Sequence, residues 1–232
     1  MTVSLWAVAS VHLVLASQSP ARLSTLRSAG VQPTVVVSGV DEDAVLAAAG
    51  ERFGALEPAD AVLLLAQAKA EDVARRIEDE EATADMLGVR VAEAVVVGCD
   101  SMLELDGEIL GKPLDADDAV ARWQAMRGKA GVLHTGHWLV DLRDGGVGGT
   151  GATLGATSST VCHFADIDDD EIRAYVATGE PLRVAGAYTI DGLGGPYIDR
   201  VEGDHHGVVG ISLPLLRELL GEIDVPWRSL RD

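Results

Sequence analysis

The run AEAVVVGCDSML, residues 92–103, is an almost unbroken series of β-branched and small apolar side chains. It lacks the alternation of a half-exposed strand and so predicts a strand buried on both faces. Such a strand needs helices above and below it, which commits the chain to an α/β architecture. The flanking patterns agree. Residues 11–16 read as a strand, 20–29 as a helix closed by Gly30, and 34–38 as a second strand. A long helix follows Pro58, where ADAVLLLAQAKAEDVARRI repeats leucine and alanine at helical spacing. ELDGEIL (104–110) carries the Asp-Gly signal of a hairpin, and residues 115–126 read as helix. GVLHTGHWLVDL and TSSTVCHFADI read as two strands joined by a glycine-rich loop. DDDEIRAYVATG starts a helix with acidic residues where the dipole favours them, and PLLRELL forms the last one. Since at least one hairpin is antiparallel, the sheet is expected to be mixed.

A single domain over residues 1–232 is expected, with the acidic, aperiodic stretch at about 79–92 as a surface insertion rather than a linker. The start MTVSLWAVASVHLVLAS lacks a basic segment and does not resemble a signal peptide; no apolar run is long enough to cross a bilayer. Cys99 and Cys162 lie in apolar surroundings without metal-like spacing and read as buried free thiols, which points to the cytoplasm. Against 37 Asp and Glu the chain sets only 18 Lys and Arg, a net charge of −19. That charge argues against nucleic acid as a partner. It also repels small phosphorylated molecules unless a few cations reverse the field locally. The chemistry should therefore lie where the scarce basic residues coincide with turn residues and a carboxylate.

Four stretches meet that condition. In LASQSPAR, proline disfavours helix at the preceding residue, so Ser19 reads as an N-cap and Pro20 as the first helical residue. Ser17, Ser19 and the forked donors of Arg22 then surround a helix N-terminus as an anion pocket, although an ordinary capped helix has the same signature. In SGVDED, Ser38, Asp41 and Glu42 follow a strand, and such carboxylates either bind a hard cation or form an exposed acidic turn. In VVVGCDSM, Asp100 ends an apolar strand, where a carboxylate is costly without a partner. A phosphatase-type aspartyl nucleophile would need a second aspartate two positions on, where Met102 stands. In GEILGKPLD, Lys112 is held between Gly111 and Pro113 as an anion partner or a solvated turn lysine. Lys69, among alanines on the long helix, either snorkels to the surface or reaches into a cleft. His134 and His137 of HTGH point to opposite sides of a strand, and His205 and His206 of DHHG read as a polar turn. No Walker A loop, nucleophile elbow or dinucleotide fingerprint in its proper context occurs.

Taken in order, LASQSPAR, SGVDED, AQAKA, GCDS, LDGEILGKP, HTGH, YVATGEPLRVAGAYTIDG and EGDHHGVVGISLPLL resemble the Maf family of nucleoside triphosphate pyrophosphatases, from about residue 12 to 220. The resemblance implies a two-lobed α/β fold around an elongated mixed sheet with the substrate in the cleft between lobes. It implies hydrolysis of a nucleoside triphosphate to the monophosphate and pyrophosphate with a divalent cation, Mg²⁺ or else Mn²⁺, in a house-cleaning role. Carried over by position, Ser19 and Arg22 grip phosphates, and Lys69 and Lys112 neutralise them. Glu42 helps hold the metal, and Asp100, which touches it too, accepts a proton from water. Members selective for dTTP and UTP carry Arg, Thr and Gln where this chain has Ala21, Ser101 and Asp191, so the resemblance leaves the base open. Family analogy also points to a homodimer and offers a second class of function, a nucleotide-binding regulator of cell division.

Overall fold

The computed structural model describes residues 11–79, 84–85 and 88–231. The first ten residues, and positions 80–83 and 86–87 of the acidic stretch, lie outside it. The chain runs β1 (His12–Ala16), α1 (Pro20–Ser28), β2 (Thr34–Val35), α2 (Glu42–Phe53) and α3 (Pro58–Asp79). It continues through β3 (Ala94–Leu105), β4 (Glu108–Leu110), α4 (Ala116–Met126), β5 (Ala130–Asp141) and β6 (Thr153–Phe164). The last elements are α5 (Asp169–Ala177), β7 (Ile198–Glu202), α6 (His205–Val209) and α7 (Leu213–Glu222). Seven helices thus flank one mixed sheet among the described residues, in strand order β2-β1-β3-β5-β6-β7 with β4 on β3.

β1 is parallel to both neighbours, whereas β3, β5, β6 and β7 are joined antiparallel. The pairing of β1 with β3 runs from His12–Ala94 to Ala16–Gly98 and stops there, while β3 continues past it beside β5 to Glu104. Asp100 therefore falls just beyond the carboxyl end of β1, where an α/β sheet opens a crevice. One face of the β1 half is covered by α1 and α7 through Leu26, Leu216 and Leu220; the opposite face is covered by α3 through Ala70, Val73 and Ile77. The far half packs around Trp123, Phe164 and Tyr175. These separate clusters are the two lobes. Trp123 also donates from Nε1 to the Ala187 carbonyl at 2.7 Å, fixing a turn in which Gly186 and Ala187 both have positive φ.

The close approach of α3 to the sheet rests on two glycines. A Cβ on Gly98 of β3 would lie 2.2 Å from the Ala66 carbonyl oxygen, and one on Gly136 of β5 would lie 2.3 Å from that of Val62. The inward stripe of α3 runs through Val62, Leu65, Ala66, Lys69, Ala70 and Val73, so Lys69 occupies a core-facing position of an otherwise apolar series.

Two local expectations are corrected. The second strand covers only Thr34–Val35, because Val36 onward turns toward α2. α2 was hidden behind an acidic turn: Asp41 is its N-cap, accepting from the Ala44 amide at 3.0 Å. Within the acidic stretch, Ala84 and Val89 are buried in the cluster that holds Val73 and Ile77. The Asp-Gly hairpin is as expected, with both Asp106 and Gly107 at positive φ. Gly98→Ala should lower stability by about 1–3 kcal/mol or more, because its methyl group meets backbone rather than a side chain that can swing aside. A urea titration reads this directly.

Candidate active site

A cleft of about 800 Å³ opens where β1 ends. Its walls include Ser17, Ser19, Ala21 and Arg22 from the first strand-to-helix junction, and Glu42 from the start of α2. Lys69 comes from α3, Asp100 and Ser101 from β3, Lys112 from the loop after β4, and Asp191 from the turn-rich segment before β7. These ten residues thus line one crevice, although they come from six separate parts of the chain.

Arg22 is buried and already engaged. Its Nε donates to the Gly210 carbonyl at 2.7 Å, Nη1 to Ser17 Oγ at 3.0 Å, and Nη2 to Ser101 Oγ at 3.1 Å. A guanidinium has five N–H donors, so two remain for a ligand. Ser101 Oγ is in turn 2.9 Å from Thr135 Oγ1, which donates to the Gly207 carbonyl. Ser19 caps α1 as its sequence predicts, accepting from the Arg22 amide.

On the opposite wall Lys69 Nζ lies 2.5 Å from Asp100 Oδ1 and 2.8 Å from Glu42 Oε1. Lys69 and Asp100 are each only 8% exposed, which decides against a snorkelling lysine. Burial pushes the Asp100 pKa above the ordinary carboxylate value, with the Lys69 and Arg22 charges opposing it in part. Its second oxygen, Oδ2, has no hydrogen-bond partner among the described residues. The loop that delivers Glu42 is fastened to α3, where Asp72 Oδ2 accepts from the Gly39 amide and Arg76 donates to the Val37 carbonyl. Ser38 lines the cleft, but Asp41 is occupied as a helix cap.

Lys112 is exposed on a loop whose Gly111 carbonyl accepts from Arg122 and from the Gly186 amide. Arg183, which sequence reasoning missed, also lines the cleft, from the short turn Pro181–Arg183. Its signal was present: EPLR is a scarce cation beside a turn proline, the criterion that picked out Lys112. Two carboxylates converge, and no group of three or more metal-ligating side chains occurs among the described residues. Both thiols are buried and unpaired, and burial pushes Cys99 up to about 11, which keeps it an inert thiol.

A family profile described as Maf-like protein matches residues 12–223. A protein of Salinispora tropica named nucleoside triphosphate pyrophosphatase is 51% identical over 221 residues, covering 95% of this chain and 87% of that one. Proteins of the same name from Streptomyces coelicolor and Rhodococcus jostii are 53% and 51% identical over 212 residues, each covering 91% of this chain and 90% and 92% of their own lengths.

The two HTGH histidines serve different faces. His134 Nδ1 is 2.8 Å from Ser159 Oγ and its Nε2 3.1 Å from Glu104, whereas His137 is fully buried behind Arg22. The Ser212 amide donates to His137 Nε2 at 2.8 Å, so the proton sits on Nδ1 and goes to the Thr135 carbonyl. Burial, helped by the Arg22 charge, lowers its pKa to about 4. An unfolded histidine titrates near 6.5, so between about pH 6.5 and 4 the unfolded chain binds a proton that the folded chain refuses. The stability present above that window should be lost as pH falls through it, by on the order of 3 kcal/mol. Urea midpoints measured across the window should show this slope in the native protein and a shallower one in His137→Gln.

Proposed function

This chain belongs to the Maf-like protein family and is a nucleoside triphosphate pyrophosphatase; we propose that the cleft at the end of β1 is where it hydrolyses the α–β phosphoanhydride, releasing a nucleoside monophosphate and pyrophosphate. The observation that carries this reading is the convergence of Arg22, Lys69, Asp100 and Lys112 in one crevice of a molecule with a net charge of −19. Departing pyrophosphate gathers negative charge, and fixed cations stabilise it without reorganising as the bond breaks.

In this reading, the two free N–H groups of Arg22 and the Ser19 end of α1 hold phosphate oxygens. Lys112, on its anchored loop, closes over them from the other lobe. Asp100 accepts the proton of the attacking water through Oδ2, while Lys69 holds Oδ1 and fixes the plane of the carboxylate. The Glu42 and Asp100 oxygens, brought together around one ammonium, suit a hard cation such as Mg²⁺, or Mn²⁺, which accepts one or two carboxylates and completes its shell with water and phosphate. Such a cation supplies charge neutralisation at the phosphates and a more acidic water. The role is removal of surplus or non-canonical nucleotides in the cytoplasm, by a protein that works as a homodimer and does not bind nucleic acid. No helix among the described residues is long and apolar enough to cross a membrane.

Base choice falls to the exposed end of the cleft. Ala21 offers no donor there, the Ser101 hydroxyl is committed to Arg22 and Thr135, and Asp191 is exposed as an acceptor. An acceptor-only group favours a base with an exocyclic amino donor. Pyrophosphate release across canonical and modified triphosphates, with and without Mg²⁺, should show metal-dependent turnover weighted toward amino-bearing bases. Exclusive turnover of dTTP and UTP would overturn the base reading. Nucleotide binding without pyrophosphate release would favour a cell-division regulator instead.

Asp100→Asn should lower kcat by about 10²–10⁴-fold while leaving nucleotide binding measurable. Because Asp100 must be ionised to accept a proton and burial raises its pKa, the acid limb of kcat/KM should lie above the ordinary aspartate range. The limb should vanish from the residual activity of the variant.

A further inference from the structure

The segment that carries Asp191 has no regular secondary structure, yet one carboxylate organises it. Glu180 Oε1 accepts from the Thr189 hydroxyl at 2.5 Å, from the Gly194 amide at 3.1 Å and from the Tyr175 hydroxyl at 3.2 Å. Its Oε2 accepts from the Leu193 amide at 3.1 Å. Tyr175, buried in the core of the far lobe, closes the ring by accepting from the Thr189 amide at 3.2 Å. The backbone is drawn in tightly: a Cβ on Gly192 would lie 2.6 Å from Glu180 Oε2, and one on Gly194 would lie 2.4 Å from the Tyr175 hydroxyl. The loop leaves this clamp only at Ile190 and Asp191, both of which line the cleft.

We propose that Glu180 is a positioning residue for nucleotide discrimination: its carboxylate clamps segment 189–194 onto Tyr175 and thereby fixes where the Asp191 carboxylate stands at the base end of the cleft. The inference rests on the reading of Asp191 as a base contact. Its chemistry requires a carboxylate, because four donors point at two oxygens. A glutamine offers one acceptor oxygen and would turn an N–H toward at least one of those donors, so the loop would lose its fixed course with little change in bulk. Glu180 itself touches none of the phosphate-binding or proton-accepting groups. Disturbing it should alter which base is preferred more than how fast the bond breaks.

The test compares kcat and KM for CTP and UTP, which differ in the exocyclic amino group, in Glu180→Gln, Tyr175→Phe and Asp191→Ala, and in the Glu180→Gln/Asp191→Ala double variant. Glu180→Gln is expected to change the CTP-to-UTP ratio of kcat/KM by about three- to tenfold, chiefly through KM, and Tyr175→Phe to change it in the same direction by less. In the Asp191→Ala background the Glu180 substitution should no longer move the ratio. Equal losses on both nucleotides, or a shift that persists without Asp191, would overturn the proposal. If Asp191→Ala shifts the ratio and the clamp variants do not, this inference alone fails. If Asp191→Ala leaves the ratio unchanged, the reading of Asp191 as a base contact fails and the inference falls with it. Tyr175→Phe keeps the test open should Glu180→Gln not fold.

Discussion

The contact between α3 and the sheet at Gly98 and Gly136 is the constraint on which the rest of the molecule depends. With no side chain at either glycine, the helix backbone comes to rest on the strand backbone, and a lysine on the inward stripe reaches the strand itself. Two residues beyond Gly98 stands Asp100. A bulkier residue at either glycine would lift the helix by the width of a methyl group and take Lys69 away from its carboxylate. Core packing and the electrostatics of the cleft are therefore one property of this fold.

That electrostatic arrangement works against the molecule's average charge. Carboxylates outnumber cations 37 to 18 in the chain, but in the walls of the cleft Arg22, Lys69, Lys112 and Arg183 match Glu42, Asp43, Asp100 and Asp191 one for one. Lys69 is shared between Glu42 and Asp100, which offsets much of the cost of burying a charge on each side. The lobes meet across this crevice because β3 outruns β1: β5 lies antiparallel along nearly all of β3, but on the other edge β1 pairs in parallel only as far as Gly98 and β4 pairs antiparallel only from Leu103. The strand change that makes the sheet elongated also leaves Asp100 uncovered by a neighbour on the β1 side.

The sequence made much of this legible, for reasons that differ by residue. Asp100 could be found because a carboxylate in a β-branched run contradicts its surroundings, and Ser19 because proline fixes the residue before it. Lys69 was ambiguous when judged by its alanine neighbours alone, yet the spacing of Val62, Leu65 and Val73 places it on the buried stripe. α2 escaped notice because its first turn is acidic and its inward face shallow, with only Ala49 buried. β7 and α6 were likewise hidden in a turn-rich segment, being five residues each and stabilised by contacts distant in sequence. The role of Glu180 was not readable at all. Its partners lie up to fourteen residues away along an irregular path, and no periodicity records such a ring.

Arginine is among the most mobile of side chains, and immobilising one costs up to about 2 kcal/mol of rotamer freedom. Here Gly210, Ser17 and Ser101 restrain the Arg22 guanidinium before any ligand arrives. The entropy is surrendered once, as the polypeptide folds, and is not demanded again at each encounter. An anion entering the crevice finds a rigid fork in place of a flexible arm.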